Sequence, residues 1–337
     1  RRHLLVKILV IQIGRYGDMI LTTPLFLALR DAYPESEIHV LASKRNHDVL
    51  AGLAIIDAVH VYHKSPIDVY RLIAELRQES FDLLLDPKDH SSKESTLIAR
   101  LIGAKVSVGF NYGTKENYTY GIPSSDTNDA LIPPMHATDR NLNVLTALGF
   151  VAERYMPMVA VDQAALAKTM RSVPEHPDRP SRIILNISVG QPQREWPVAK
   201  WVELGKLLTR EGRSVVVLAA PTEHAAAEHI VAQIGTRTAA FLADTIHDSI
   251  AMISRGDILV SCDSAPIHIA SALDIPVVGI FNSILWNSYK FHPLSTVQRI
   301  VQPEISISQI ADIPIVTVFQ ATKEVLQEFR ARRTKEG

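Results

Sequence analysis

The sequence predicts an α/β protein made of two doubly wound domains, each with a parallel sheet between layers of helices. The chain has 337 residues, which is more than one hydrophobic core usually serves. Apolar runs rich in Val, Ile and Leu recur along it, as expected for strands that are buried on both faces of a sheet. A longer segment with helical periodicity follows most of these runs, which is typical of parallel sheets wrapped by helices.

The first domain is predicted to span residues 1–172. Residues 111–134 are polar and aromatic with little periodicity, so we predict a long loop there, and loops of that length are often functional. A helix over residues 139–148 should close the main body of this domain. Strands are expected near residues 7–13, 38–42, 59–62, 81–86 and 106–110, with helices between them.

The second domain is predicted over residues 182–317, after a linker at 173–181 whose prolines stiffen the chain and exclude regular structure. The segment 318–337 is predicted as a C-terminal helix that could pack back on the first domain, and its final cations suit a helix carboxyl end. Strands are expected near 183–188, 214–219, 257–262 and 277–281, and helices at about 198–210, 223–234, 247–254 and 267–273.

Composition excludes several classes of protein. A hydrophobic content of 47% with 21% charged residues is globular rather than disordered. No stretch approaches the roughly 20 apolar residues that a membrane-spanning helix needs, so we expect a soluble protein. A net charge of -1 argues against nucleic acid as a partner, because such binding needs a strongly basic face. Cys262 is the single cysteine, which fits a reducing, cytoplasmic compartment.

The loop after the first predicted strand is the first place to look for chemistry, because ligands of open parallel sheets bind at the carboxyl ends of strands. Its sequence, GRYGD at 14–18, is not the dinucleotide fingerprint, which disfavours a nicotinamide enzyme. Pro24 favours a helix that opens there with Thr23 as its cap, so Asp18 should precede that helix. Asp18 could be a general base facing a cleft, or it could only cap a helical turn at 19–21.

A second loop, residues 186–197, lies between a predicted buried strand and a helix. Ser188 and Gly190 lie in it, and backbone amides near Gly190 could approach a phosphate closely. Arg194 offers a permanent charge and a planar fork for phosphate oxygens. The alternative is a solvated arginine beside a tryptophan that anchors the loop.

The segment 260–268 repeats this arrangement of strand, sharp turn and helix start. Free amides of a first helical turn attract anions, so a donor pyrophosphate fits this position. Asp263 alone could be a cap, and His268 alone could be a hydrogen-bonded core residue. Glu223 follows a further strand, where a carboxylate can accept hydrogen bonds from ribose hydroxyls; it could equally be an ordinary acidic residue in a first helical turn.

These segments together resemble glycosyltransferase family nine, the heptosyltransferases of lipopolysaccharide core assembly, across nearly the whole chain. The stretches that carry the resemblance are 7–24, 135–140 (MHATDR), 194–197 (REWP), 263–268 (DSAPIH) and 270–273 (ASAL). The resemblance implies a GT-B architecture, with two Rossmann-like domains facing a central cleft. It also implies transfer with inversion, no metal ion or other cofactor, and an ADP-activated heptose as the donor.

Residue by residue, the resemblance implies that Asp18 is the catalytic base. Arg194 falls where the family usually has a lysine against the donor phosphates, and Glu223 falls where an acidic residue meets the adenosine ribose. The residues that match the family's Asp-Thr-Gly-x-x-His donor motif are Asp263, Ser264, Ala265 and His268. Arginine at 194, alanine at 265 and the sequence NSI at 282–284 depart from the family pattern, so a donor with a hexose or with another nucleotide is the alternative.

An anionic glycan or glycolipid, such as a lipopolysaccharide core, is the expected acceptor. Its candidate contacts are cations near strand ends of the first domain together with residues of the segment 135–140: Arg15, Lys88, Lys93, His136 and Arg140. Arg1, Arg2 and the basic end of the last helix could also bring the enzyme to the anionic inner face of the inner membrane.

Two other functions fit the same pattern. A nucleotide-sugar epimerase of similar two-domain build would convert the donor without any acceptor. A sugar-nucleotide binding protein without catalytic activity would bind the donor and release no nucleotide, although the presence of Asp18 argues against it.

Overall fold

A computed structural model describes residues 6–88, 92–111, 117–123, 135–151, 153, 155–176, 178, 181–304 and 309–336. The chain forms two compact units, Arg1–Met158 and Val159–Gly337. This boundary precedes the predicted linker at 173–181, because helix α6 (Gln163–Ser172) packs against helix α9 (Ile246–Ser254) in the second unit. The expectation that the first domain extends to residue 172 therefore differs from the observed division.

The first unit contains a six-stranded parallel sheet in the order β3-β2-β1-β4-β5-β6. Its strands are β1 (Lys7–Gln12), β2 (Glu37–Ser43), β3 (Ala58–Tyr62), β4 (Leu83–Asp86), β5 (Val106–Asn111) and β6 (Tyr120–Pro123). Its α-helices are α1 (Tyr16–Ile20), α2 (Thr23–Ala32), α3 (Pro66–Gln78), α4 (Lys93–Ile102) and α5 (Ala137–Asn143). Its described residues also form the 3₁₀ helices Asp48–Leu50 and Thr146–Leu148.

The second unit repeats this architecture with the strand order β12-β11-β10-β7-β8-β9, again parallel. Its strands are β7 (Arg182–Asn186), β8 (Ser214–Ala219), β9 (Thr238–Leu242), β10 (Ile258–Cys262), β11 (Val277–Ile280) and β12 (Gln298–Val301). Besides α6 and α9 its α-helices are α7 (Val198–Arg210), α8 (His224–Ile234), α10 (Ala265–Ala272), α11 (Leu285–Phe291) and α12 (Ile315–Glu336). Its 3₁₀ helices are Pro192–Arg194, Pro221–Glu223 and Ile310–Asp312.

Central strands hold the cores of both sheets. In β7 and β10 every residue is buried, and in β1 every residue after Lys7 is buried. Helices on both faces remove these strands from water, which is why they appear in the sequence as continuous apolar runs. The predicted strands at these positions are confirmed, and the fold is the predicted α/β architecture with two Rossmann-like units.

The strands that sequence patterns missed lie at sheet edges. β6, β9 and β12 each pair with one neighbour and carry few buried residues. Such short, half-exposed strands give no strong apolar run. The prediction of a long loop over 111–134 is wrong where β6 forms, and residues 112–116 and 124–134 of that segment lie outside the described residues.

Helix α12 packs against α7 and against strands β10 to β12, so it belongs to the second unit. Val318, Val325 and Leu326 are its buried anchors in that core. The packing of this helix on the first domain stays a prediction. No described helix combines the length and apolar character that crossing a membrane requires.

Candidate functional site

In the first unit, the turn after β1 leads directly into α1. Asp18 precedes the helix that contains Pro24, α2, as predicted, but it lies in the first turn of the short helix α1, which was not predicted. Its Oδ2 accepts a hydrogen bond from the backbone amide of Arg15 at 2.9 Å. Gly14 leaves room for this arrangement, because a Cβ there would lie 2.8 Å from Oδ2 of Asp18. The next helix, α2, has Thr22 rather than Thr23 as its N-cap.

A buried polar network links α1 to α5. The Thr22 hydroxyl donates to the carbonyl of Asp18 at 2.8 Å and accepts from the Gln12 amide at 2.6 Å. The Asn141 amide, from α5, donates to the Thr22 hydroxyl at 3.0 Å and to the Leu21 carbonyl at 2.9 Å. These residues fix the backbone that carries Asp18. No local motif marks Asn141 in the sequence, since its partners lie about 120 positions away.

The predicted acceptor-side residues fall into two groups. Arg15 and Lys93 are exposed, and Lys88 is half-buried with its Nζ 3.3 Å from the carbonyl of Ile13. His136 and Arg140, by contrast, are only 4% and 3% exposed. His136 caps α5 by accepting from the Thr138 amide at 3.2 Å, and burial lowers the pKa of Arg140 to about 10. Such burial does not suit a direct contact with an external glycan.

Asp86 is a buried carboxyl at the carboxyl end of β4 that sequence analysis did not assign. Its Oδ2 accepts from the Tyr118 hydroxyl at 2.7 Å. Burial raises the pKa of Asp86, while the hydrogen bonds and the nearby Lys88 cation act in the opposite direction. Its position directly before Pro87 and Lys88 is the one signal in the sequence that could have drawn attention to it.

In the second unit, Arg194 and Asp263 form an ion pair. Nη1 of Arg194 lies 2.8 Å from Oδ2 of Asp263 and 3.2 Å from its carbonyl oxygen. Asp263 is 4% exposed and follows β10, and the Asn287 amide from α11 lies 3.3 Å from the same Oδ2. Burial raises the pKa of Asp263 to about 6, against the opposing effect of the Arg194 guanidinium. The sequence did not indicate that Arg194 and Asp263 contact each other.

Ser188 and Glu223 form a second pair at the same edge of the sheet. The Ser188 hydroxyl donates to the Glu223 carboxylate. The backbone amide of Ala220 lies 2.8 Å from the Ser188 oxygen and 3.1 Å from the Glu223 oxygen. The loops after β7 and β8 are thereby joined around one carboxylate.

Asn186, the last residue of β7, links the loop after β7 to the turn after β10. Its amide donates to the Ser264 hydroxyl at 3.3 Å, to the Ser261 hydroxyl at 3.0 Å and to the Ser188 carbonyl at 2.9 Å. Ser264 is the N-cap residue of α10. An asparagine at the end of a predicted buried strand is the feature that could have marked Asn186 in the sequence.

All eight predicted donor-side residues follow three adjacent strands of one sheet, β10, β7 and β8. The pairs described above account for Ser188, Arg194, Glu223, Asp263 and Ser264. Ala265 opens α10, Gly190 is exposed, and His268 is buried with its ring 6.3 Å from that of Phe291. The carboxyl ends of parallel strands meet at one edge, so the sheet brings these residues to the place where such folds bind ligands. Across the described ranges, no group of three or more His, Cys, Asp or Glu side chains is placed to hold a metal ion.

Two Rossmann-like units, each with polar turns at the carboxyl edge of its sheet, define the GT-B class of glycosyltransferases. The model of glycosyltransferase family 9 (heptosyltransferase) matches residues 69–309, and the chain belongs to that family. It is therefore a glycosyltransferase.

Individual relatives agree with this assignment. The chain is 24% identical over 334 residues to lipopolysaccharide heptosyltransferase 3 of Escherichia coli K12, covering 93% of this chain and 96% of that protein. Its fold is similar to a family 9 glycosyltransferase from Veillonella parvula, with a TM-score of 0.81, 20% identity and 96% and 97% of the two chains covered. It is also similar to E. coli ADP-heptose lipopolysaccharide heptosyltransferase II, with a TM-score of 0.77, 22% identity and 96% and 99% coverage.

Proposed function

We propose that this enzyme transfers a heptose from ADP-heptose to a glycan of the lipopolysaccharide-core type, with inversion at the anomeric carbon and without a metal ion. The observation that carries the proposal is the cluster around the Arg194–Asp263 and Ser188–Glu223 pairs at one sheet edge. The family and the names of the relatives, which are lipopolysaccharide heptosyltransferases, support the choice of sugar and acceptor.

The donor diphosphate is proposed to bind between Arg194 and the start of α10. The Arg194 guanidinium can exchange its bond to the Asp263 carboxylate for bonds to phosphate oxygens, which are also negatively charged. The backbone amides of Ser264 and Ala265 can add donors at this helix start, where anions are favoured. Negative charge grows on the departing diphosphate in the transition state, so these groups would stabilise that state more than the ground state. They can supply the positive charge that a metal ion provides in other enzymes.

The nucleoside is proposed to meet Glu223. Its carboxylate already accepts hydrogen bonds from Ser188 and from the Ala220 amide, and carboxylate oxygens have further lone pairs for ribose hydroxyls. The Ser188 hydroxyl holds the carboxylate in place, so the pair would act together in recognising the ribose.

Asp18 is proposed as the general base. The acceptor hydroxyl oxygen attacks the anomeric carbon as the bond from that carbon to the diphosphate breaks on the opposite face, and the hydroxyl proton passes to the Asp18 carboxylate. Attack opposite to the leaving group gives inversion. Arg15 and Lys93 are the proposed cations for an anionic acceptor, and the burial of His136 and Arg140 argues against direct contacts from those two residues.

Product analysis tests this function. Purified enzyme is incubated with ADP-heptose, with and without a lipopolysaccharide core that lacks the heptose, and with or without EDTA. We expect ADP release and a heptosylated product only when the acceptor is present, with no loss in EDTA and an inverted linkage by NMR. Conversion of the donor without acceptor would instead indicate an epimerase, and full loss of activity in EDTA would overturn the metal-free mechanism.

A nucleotide panel tests the donor class. A ligand that binds only the folded state raises the unfolding temperature by mass action. We expect a larger shift with ADP than with UDP or GDP at equal concentration. A larger shift with UDP or GDP would overturn the choice of an ADP-sugar.

A cytoplasmic location and peripheral contact with the inner membrane complete the proposal. Two cations of α12 are already engaged, since Arg330 donates to the Ser181 hydroxyl at 2.8 Å and Arg332 lies 3.0 Å from Glu328. Electrostatic attraction to anionic lipid is screened by salt, so co-sedimentation with anionic vesicles should fall as salt rises. Binding that depends on neither the lipid charge nor the salt concentration would overturn the proposed electrostatic contact with the membrane.

A further inference from the structure

Successive backbone carbonyls of residues 12–15, the turn that runs from the last residue of β1 to the N-cap of α1, are all engaged. Three of the groups that donate to them are side chains at or directly after the ends of β2 and β4. The contacts are Asn46 Nδ2 to Gln12 O at 3.0 Å, Lys88 Nζ to Ile13 O at 3.3 Å, Ser43 Oγ to Gly14 O at 2.8 Å and Met19 N to Arg15 O at 3.2 Å. A turn held at every carbonyl has little freedom to move.

Among those three side chains Lys88 is the one that brings a charge. It follows β4, the strand that pairs directly with β1. The backbone amide of Lys88 donates to Oδ1 of Asp86 at 3.3 Å, and its ammonium attracts that buried carboxyl. Asp86 is held in turn by the Tyr118 hydroxyl. The backbone of Lys88 is therefore anchored through Asp86, and the half-buried Lys88 side chain reaches to the neighbouring turn.

The position of this turn sets the position of the Asp18 carboxylate. The carboxylate accepts from the Arg15 amide at 2.9 Å, and its Oδ2 lies 2.8 Å from the position that a Cβ on Gly14 would occupy. A displacement of residues 13–15 would therefore displace the carboxylate oxygen by a similar distance. General-base catalysis depends on such placement, because a shift of about 1 Å can cost up to about a hundredfold in rate.

We propose that Lys88 is a positioning residue for the Asp18 carboxylate, and that it acts through the Ile13 carbonyl rather than by binding the acceptor. This rests on the proposed role of Asp18 as the base. The role differs from the acceptor contact expected of Lys88 as a cation near a strand end, and the two roles predict different kinetics.

The test compares Lys88→Met, Lys88→Arg and the control Lys105→Met in steady-state kinetics with both substrates. Methionine keeps the length of the side chain but removes the ammonium donor, whereas arginine keeps a donor for the carbonyl. Lys105 pairs with Asp82 at 2.7 Å and lies at the opposite, amino end of β5. We expect K88M to lower kcat by about 10- to 100-fold with both KM values within about twofold, K88R to recover most of kcat, and K105M to match the wild type.

A raised acceptor KM with unchanged kcat in K88M would overturn the proposal in favour of an acceptor contact. Unchanged kcat and KM values would overturn it as well. An unchanged unfolding temperature in K88M would show that the variant is folded. ADP affinity should also be unchanged, because the donor-side residues all belong to the second unit.

The double variant D18N/K88M separates this inference from the function on which it rests. If Lys88 acts through Asp18, K88M should change kcat by less than about twofold in the D18N background, since residues that act as a unit are not additive. A full additional loss there would overturn the positioning role. If D18N alone leaves kcat unchanged, the proposed base is wrong instead.

Discussion

The carboxyl edges of the two sheets hold the residues proposed to act in catalysis and in donor binding in different ways. In the second unit, side chains bind one another, as in the Arg194–Asp263 ion pair and the Ser188–Glu223 hydrogen bond. In the first unit, Asp18 and Lys88 bind the backbone, through the Arg15 amide and the Ile13 carbonyl.

This difference suits two different functions, ligand binding and catalysis. A side chain paired with another can exchange its partner for a ligand group of similar charge, so the second edge suits reversible binding of a nucleotide diphosphate. A carboxylate bound to the backbone keeps one position whether or not a ligand is present, and a general base needs such a position. The contrast can be tested by removing each contact in turn.

The largest effect is expected from Asp18→Asn. Asparagine can still accept from the Arg15 amide, so the helix start should survive while the base is lost. We expect kcat to fall by about a hundredfold or more, with ADP affinity unchanged in titration calorimetry. Normal turnover would show that Asp18 has a structural role only.

Arg194→Met should weaken donor binding by about 10- to 100-fold, because hydrogen bonds from a charged group contribute about 1.5–3 kcal/mol. Arg194→Lys keeps the charge without the planar fork and should lose less. Competition by ADP against a labelled donor measures both. Wild-type donor affinity in R194M would mean that Arg194 pairs with Asp263 but does not bind the donor.

The Asp263 carboxyl gives a pH dependence to stability. Its pKa is raised to about 6 in the folded state from an unfolded value of 3.8, so the folded state binds the proton more tightly. Between pH 4 and pH 6 the wild type should therefore lose about 2 kcal/mol relative to Asp263→Asn as pH rises, with a constant difference above about pH 7. Urea unfolding at several pH values measures this. A difference that instead grew with pH would mean that Arg194 outweighs burial.

The smallest effect is expected at the ribose contact. Glu223→Gln keeps the shape of the side chain and weakens its hydrogen bonds, so ADP affinity should fall by about three- to tenfold. The loss should be smaller for an ADP analogue that lacks a ribose hydroxyl. Equal losses for both nucleotides would place Glu223 away from the ribose and leave Ser188 as a purely structural partner.

The central strands and the turns that follow them could be predicted from sequence, whereas several details could not. The edge strands β6, β9 and β12 are too short and too exposed to give an apolar run. The five-residue helix α1 directly follows a loop and is too short to show periodicity, which is why Asp18 was expected only to precede α2 or to cap a turn at 19–21. Asn141 and Asp86 carry no local motif, because their partners are distant in the chain.

The sequence by itself determined the alternation of strands and helices and the loops that carry polar chemistry, because burial on both faces of a parallel sheet requires continuous apolar runs. Only the tertiary structure decided which polar groups bind each other. Arg194 and Asp263 are 69 positions apart in the chain, and Lys88 and Ile13 are 75 apart. Contacts of this kind depend on strand order and register, which place loops from distant parts of the chain at a common sheet edge.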